Sequence, residues 1–178
     1  MSGWKPGEGR ADRAAMVRVD QAGEYGATRI YAGQLAVLRN TAPETKLIAR
    51  MAAQEQRHLV RFDRLMAERR VRPTVLRPLW DVAGFALGAA TALMSEKAAL
   101  ACTDAVETEI DRHYGAQLAE LGDDDPELTA TIAEFQAEEI EHRDTAREAG
   151  AAEAVGYPLL TAAIRAGCRA AIALSKRI

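Results

Sequence analysis

The chain has 178 residues, enough to bury a sizeable core within one domain. Apolar residues make up 48% and aromatics only 5%, with alanine abundant, which suits closely packed helices better than a sandwich or barrel. A formal charge of −3 gives no basis for a nucleic-acid partner, and two cysteines outside any C-x-x-C pattern predict reduced core thiols rather than a disulfide.

The N-terminal MSGWKPGEGR has neither the apolar core of an export signal nor the Arg-rich character of a transit peptide. Residues 1–11 are expected to be a frayed lead-in to a single domain over 1–178. Asp12 predicts the cap of a first helix running to about Arg39. Its inner face carries Met16, Val19, Ile30, Leu35 and Leu38, with Glu24 in the middle. Gly23 and Gly26 flank Glu24. They either leave room for a metal or substrate beside the backbone or mark loose packing.

Asn40 to Pro43 has turn and helix-start chemistry, and so short a linker predicts an antiparallel hairpin. The second helix is predicted from about Pro43 to Arg70, with Leu47, Met51, Glu55, His58, Phe62 and Leu65 on one stripe. A carboxylate among Met and Leu needs a partner, because burying it unpaired is costly. Metal coordination would supply one.

Val71 to Pro78 breaks the helix. The apolar run over 79–94 is interrupted by Asp81 and falls short of the ~20 residues that span a bilayer. It predicts a helix lying in a membrane interface, with Trp80 and Arg77 at headgroup level, rather than a wholly buried one. Gly84 and Gly88 offer a face for close helix contact.

A helix from Ser95 to about Leu121 places Leu100, Thr103, Glu107, Ile110 and Tyr114 along one face. Tyr114, seven residues from Glu107, can bring its hydroxyl to the same cavity. Asp104 and Asp111 are candidates to orient a ligating histidine. After the loop Gly122–Pro126, a helix to about Ala149 carries Leu128, Ile132, Phe135, Glu139 and His142, and Gly150 stops it. The last helix, over 157–174, has Arg165, Arg169, Lys176 and Arg177 in or beside it. It would cover the bundle or rest on an anionic membrane.

One pattern recurs along these helices. Glu55-Gln-Arg-His58 and Glu139-Ile-Glu-His142 each aim a carboxylate and an imidazole from one helix face. Glu24 lies 31 residues before Glu55, and Glu107 lies 32 before Glu139. Two repeats of Glu…Glu-x-x-His supply the four carboxylates and two histidines of a dimetal site in a four-helix bundle. Glu138 and Glu141 read as a solvated face, with Glu138 an alternative ligand. Such donors favour iron or manganese. Spacing alone leaves a hydroxylase, a ferritin-type oxidase and a dimanganese catalase open.

VRVDQAGEYGATRIYAGQLAVL (17–38) resembles the first helix of the 5-demethoxyubiquinone hydroxylases of coenzyme Q biosynthesis. LWDVAGFALGAATALM, ACTDAVE, FQAEEIEHRD and AGCRAAIALSKRI continue the resemblance in order across nearly the whole chain. It implies an all-α, ferritin-like four-helix bundle with additional membrane-facing helices. It also implies two iron ions held by Glu24, Glu55, His58, Glu107, Glu139 and His142. The implied reaction is hydroxylation of a polyprenylated demethoxyquinol by O₂, with electrons from NADH or from the quinol itself.

The same resemblance places Tyr114 and Arg169 near the substrate and electron path, with His113 beside them. It puts Gln21 where some relatives carry histidine. It further implies peripheral attachment to a membrane surface: the cytoplasmic face of a bacterial cell membrane, or the matrix side of the mitochondrial inner membrane. A lipid-binding accessory protein and a homo-oligomer are the partners it leaves open. The competing expectations are a ferritin-like storage or peroxide-detoxifying protein and a non-catalytic membrane adaptor.

Overall fold

Short polar side chains fix where the helices begin. Asp12, Ser95 and Asp125 each accept a hydrogen bond from the backbone N–H three residues on, at 3.0, 3.0 and 3.2 Å. The computed structural model describes residues 12–38 and 43–177. The elements are α1 (Arg13–Val37), α2 (Pro43–Arg69), α3 (Arg77–Met94), α4 (Glu96–Leu121), α5 (Pro126–Glu148), a 3-10 turn (Ala151–Glu153) and α6 (Tyr157–Ser175). These ends fall within one or two residues of those read from the sequence. The lead-in and the turn at 39–42 lie outside the described residues.

Among the described residues there is no strand, and the fold is an all-α, ferritin-like bundle. Gln21 meets Asp63 and Arg18 meets Arg72, so α1 and α2 run antiparallel. In the second hairpin Asp104 meets Arg147 and Asp111 meets Arg143, so α4 and α5 do the same. The core divides in two along the bundle axis. Met16, Phe62, Leu65, Leu121, Leu128 and Ile132 fill one end; Tyr31, Ile48, Met51 and the alanine run Ala98–Ala101 fill the other. Full burial of each large side chain contributes about 1.5–3 kcal/mol. The chain midpoints of α1, α2, α4 and α5, where the candidate ligands lie, form the layer between the two ends.

Helix α3 lies across α1 at very short range. A Cβ on Gly88 would stand 1.9 Å from Ile30 O, and one on Gly33 2.1 Å from Phe85 O. Glycine is needed there because the two backbones touch. Helix α6 lies against α4, where Tyr157 donates to the buried Asp104.

Further contacts join the outer helices to the bundle. The Trp80 indole Nε1 donates to Ser175 Oγ at 2.9 Å, joining α3 to α6. Arg77 stacks over the Tyr25 ring at 4.5 Å. The inner stripe of α2 starts at Ile48 rather than at the half-buried Leu47. Cys102 and Cys168 are free thiols, as expected. Helix α3 is buried only along Gly84, Gly88, Thr91 and Ala92; Leu79, Val82, Phe85, Leu93 and Met94 are exposed. No helix among the described residues is long and apolar enough to cross a membrane.

Candidate metal centre

Four glutamates and two histidines from α1, α2, α4 and α5 converge between the two halves of the core, each at most 2% exposed. Glu24, Glu55, His58 and Glu139 place one ligand atom each within 4.8 Å of one another, and so do Glu55, Glu107, Glu139 and His142. Glu55 and Glu139 belong to both groups, as carboxylates bridging two metal ions must. Within the layer, His58 Nδ1 lies 3.0 Å from Glu139 and 3.4 Å from Glu24. His142 Nδ1 lies 3.1 Å from both Glu55 and Glu139.

Buried polar atoms normally find hydrogen bonds. Here Glu24 Oε2, both oxygens of Glu55, Glu107 Oε2, Glu139 Oε1 and His58 Nδ1 have none. Leaving a buried ion uncompensated costs several kcal/mol, so a cluster with this many open acceptors needs cations. The donor set is hard oxygen with imidazole, which fits iron or manganese. On these grounds the residues present fit a pair of divalent ions.

Protonation follows the same reasoning. Burial, then the neighbouring carboxylates, pushes Glu55 and Glu107 well above the usual carboxylate range; burial raises Glu24 as well. Glu139 goes the other way. Burial opposes its charge, but the His142 and His58 imidazoles, at 3.1 and 3.0 Å, hold it down at about 2. Burial disfavours charge on His58 too, yet Glu139 and Glu24 raise it to about 11. Without metal, protons do part of the work of the cations.

The remaining contacts cross between the two hairpins in matched pairs. Tyr31, on α1, donates to Glu107 Oε1 on α4 at 2.8 Å, and Tyr114, on α4, donates to Glu24 Oε1 on α1. Burial and nearby carboxylates raise both phenols well above their ordinary values, so both stay donors. On the far side, His58 Nε2 lies 2.9 Å from Glu138 Oε2, and His142 Nε2 lies 3.0 Å from Gln54 Oε1. Phe135 stacks on His58, ring centroids 3.9 Å apart.

Sequence reasoning missed Tyr31 and Gln54, although a signal existed. Tyr31 follows Glu24 by seven residues as Tyr114 follows Glu107, and Gln54 precedes Glu55 as Glu138 precedes Glu139. Asp104 and Asp111 do not orient the histidines. Asp104 is held by Arg147 and Tyr157, and Asp111 by Arg143 and Gln136. Both point between helices rather than at the centre. Glu138 is neither a solvated face nor among the converging groups; Glu141 is exposed. His113 stands apart from the cluster and bonds Asp20 at 3.1 Å. Arg169 pairs with Glu109 at 2.7 Å on the exposed side of α6.

An apolar pocket of about 500 Å³ lies on the other side of α1, among α1, α3, α4 and α6. Gly23, Gly26 and Gly167 line it, and a Cβ at each would meet nothing within 4 Å. The glycines flanking Glu24 thus leave space rather than pack loosely. Val19, Gly23, Ile110 and Ile172 also line a cavity of about 20 Å³ whose other walls are Asp20, Glu24, His113 and Tyr114. The apolar pocket therefore abuts the polar layer at Gly23–Glu24.

Comparison with known proteins finds relatives along nearly the whole chain. The family described as ubiquinone biosynthesis protein COQ7 matches residues 11–175. A 3-demethoxyubiquinol 3-hydroxylase of Rhodospirillum rubrum is 56% identical over 162 residues, covering 91% of this chain and 76% of that protein. The mouse mitochondrial NADPH-dependent 3-demethoxyubiquinone 3-hydroxylase is 52% identical over 172 residues, 94% of this chain and 79% of that one. The yeast mitochondrial 5-demethoxyubiquinone hydroxylase is 43% identical over 179 residues, with 92% and 77% covered. The mouse protein's name carries NADPH, where NADH or the quinol itself was expected.

Proposed function

This chain belongs to the COQ7 family of ubiquinone biosynthesis proteins, and from that premise we infer that it hydroxylates the ring of a demethoxyubiquinol with O₂. In the reaction a ring C–H becomes C–OH, the second oxygen atom leaves as water, and a reductant supplies two electrons. NADPH is the proposed reductant, following the animal relative's name.

Glu24, Glu55, His58 and Glu139 would hold one iron, and Glu55, Glu107, Glu139 and His142 the other. When bound, the pair of irons supplies the reduction of O₂. The chain's own residues do the rest. Tyr114 and Tyr31 hold Glu24 and Glu107 in place by donating to one oxygen of each, leaving the other free for a cation. The apolar pocket takes the greasy substrate, with Gly23 and Gly26 letting the ring approach the backbone beside Glu24. His113 and Tyr114 wall the small cavity between pocket and cluster, where a proton can be passed or held. Arg169 acts at most from outside, through Glu109.

A polyprenylated substrate would be drawn from a membrane surface. The helices that wall the pocket, α3 and α6, also carry the exposed Leu79, Val82, Phe85, Leu159 and Leu174. They would lie in the interface, and an accessory protein presenting the lipid would meet the same face. A storage role would leave the pocket without a use.

The observation that carries this reading is the abutment of the apolar pocket and the carboxylate layer at Gly23–Glu24. Quinone analysis by mass spectrometry in cells lacking the protein tests it. A demethoxyquinone should accumulate and disappear on complementation by wild type, but not by Glu139→Ala. Normal ubiquinone with no such intermediate, in cells without a redundant hydroxylase, would remove it.

A further inference from the structure

The two halves of the centre are built alike, and they differ in what stands behind each histidine. Each half has a terminal glutamate held by a tyrosine of the opposite hairpin, Glu24 by Tyr114 and Glu107 by Tyr31. Each has one histidine directing Nδ1 inward, and both share Glu55 and Glu139. The residue just before each shared glutamate reaches across to the other hairpin's histidine. Glu138 of α5 takes His58 Nε2, and Gln54 of α2 takes His142 Nε2. Here the match fails, because one histidine has a carboxylate behind it and the other a neutral amide.

Glu138 and Gln54 are also joined, Gln54 Nε2 donating to Glu138 Oε2 at 3.3 Å. Gln54 thus turns its amide nitrogen to Glu138 and its carbonyl oxygen to His142, so His142 Nε2 carries the proton. Glu138, ion-paired with Arg57 at 3.1 Å, offers only acceptors, so His58 Nε2 carries the proton too. The result is one hydrogen-bonded chain, His142–Gln54–Glu138–His58, that puts the proton of each neutral imidazole on Nε2 and makes Nδ1 the atom offered to metal.

We propose that this chain makes the two metal positions inequivalent: the ion at His58 binds first and more tightly because Glu138 backs its imidazole, whereas Gln54 backs His142 more weakly. A carboxylate accepting from a ligating imidazole increases its basicity toward a metal, and losing such a partner typically costs 10–100-fold in affinity. Glu138 and Gln54 are positioning residues that act through the histidines. The inference rests on the six-ligand reading above.

The test is titration of metal-depleted, full-length protein with cobalt(II), following its visible absorption bands. Wild type should take two ions in separate steps, with the spectrum of the first absent from His58→Ala and present in His142→Ala. Glu138→Gln, nearly the same shape, should weaken the first step 10–100-fold and bring the two steps together. Gln54→Leu should alter the second spectrum while leaving the first step within about threefold. Glu138→Gln titrating like wild type, or losing affinity equally at both steps, would overturn the proposal while leaving the six-ligand centre standing. Wild type taking up no cobalt at these residues would overturn the centre itself, and the proposal with it.

Discussion

Helix α1 separates two regions that solve opposite problems. On one side lie four buried carboxylates with open oxygens, a region that calls for cations. On the other is a pocket lined almost wholly by Val, Ile, Leu, Ala and Gly, which asks for an apolar guest. One region is defined by side chains that reach inward, the other by side chains that are missing. Gly23 lines the pocket and Glu24 belongs to the cluster, and these neighbours in sequence share the small cavity between the two. Activity should require both regions intact, while each can be damaged separately.

The largest effect should come from the carboxylate side. Glu139→Ala removes a group common to both clusters, so turnover should fall by at least about a thousand-fold, roughly 4 kcal/mol. Bound iron should fall from two per chain, with the helical circular dichroism kept and quinone binding little changed. If turnover and metal content both stay normal, Glu139 is not a ligand.

Filling the pocket should be milder and show in a different constant. Gly26→Leu projects into the open space beside α1. It should raise KM for a long-tailed demethoxyquinol by about 10–100-fold, an occluded-pocket effect of about 1.4–2.8 kcal/mol, while iron content is unchanged. Loss of iron instead would mean that the two regions are not separable.

Metal removal should expose the carboxylates' protonation. Glu24, Glu55 and Glu107 have raised pKa values in the folded chain, so the metal-free fold holds more protons than the unfolded chain does. Its stability should therefore fall as pH rises from the ordinary carboxylate range. The contribution of His58, present in full below its ordinary value, is lost in the same direction as pH climbs toward about 11. That of Glu139 is lost only as pH falls toward about 2, outside this window. Thermal melts of chelator-treated protein should show Tm lower at pH 8 than at pH 5.5, each 1 kcal/mol moving it by about 2–4 °C. Iron-loaded protein should not follow this trend, since metal binding favours the ionised carboxylates. A Tm for the metal-free form that rises with pH would contradict the protonation scheme.

The effect of a single tyrosine should appear in the stability of the metal-free fold. Tyr31→Phe leaves Glu107 Oε1 unpaired and should cost about 1–3 kcal/mol in the metal-free fold, measured by urea denaturation. Tyr114→Phe should do the same at Glu24. A neutral result for both would mean the crossed tyrosines do not support the carboxylates.

The two regions were not equally legible in the sequence. The carboxylate layer was readable because helices repeat: a glutamate and a histidine three apart must share a face, and caps such as Asp12, Ser95 and Asp125 date the helix starts. Its crossed partners were harder, since pairs such as Tyr31–Glu107 are 76 residues apart and depend on how two hairpins dock. Asp104 looked like a histidine partner by spacing, but Arg147 and Tyr157 from neighbouring elements claimed it. The pocket was least legible. Gly23 and Gly26 gave only an ambiguous sign, because a void arises from where α3 and α6 lie, not from any residue alone. Trp80 likewise gave no sign of Ser175, the α6 partner that its indole meets.

The most direct test of the account is the fate of labelled dioxygen. Iron-loaded protein, a demethoxyquinol and a reductant would be exposed to ¹⁸O₂, and the quinone product weighed by mass spectrometry. Hydroxylation at this centre predicts one ¹⁸O atom in the new ring hydroxyl, and none from the Glu139→Ala protein. Product carrying oxygen only from water, or iron oxidation with the quinol ring unchanged, would contradict it.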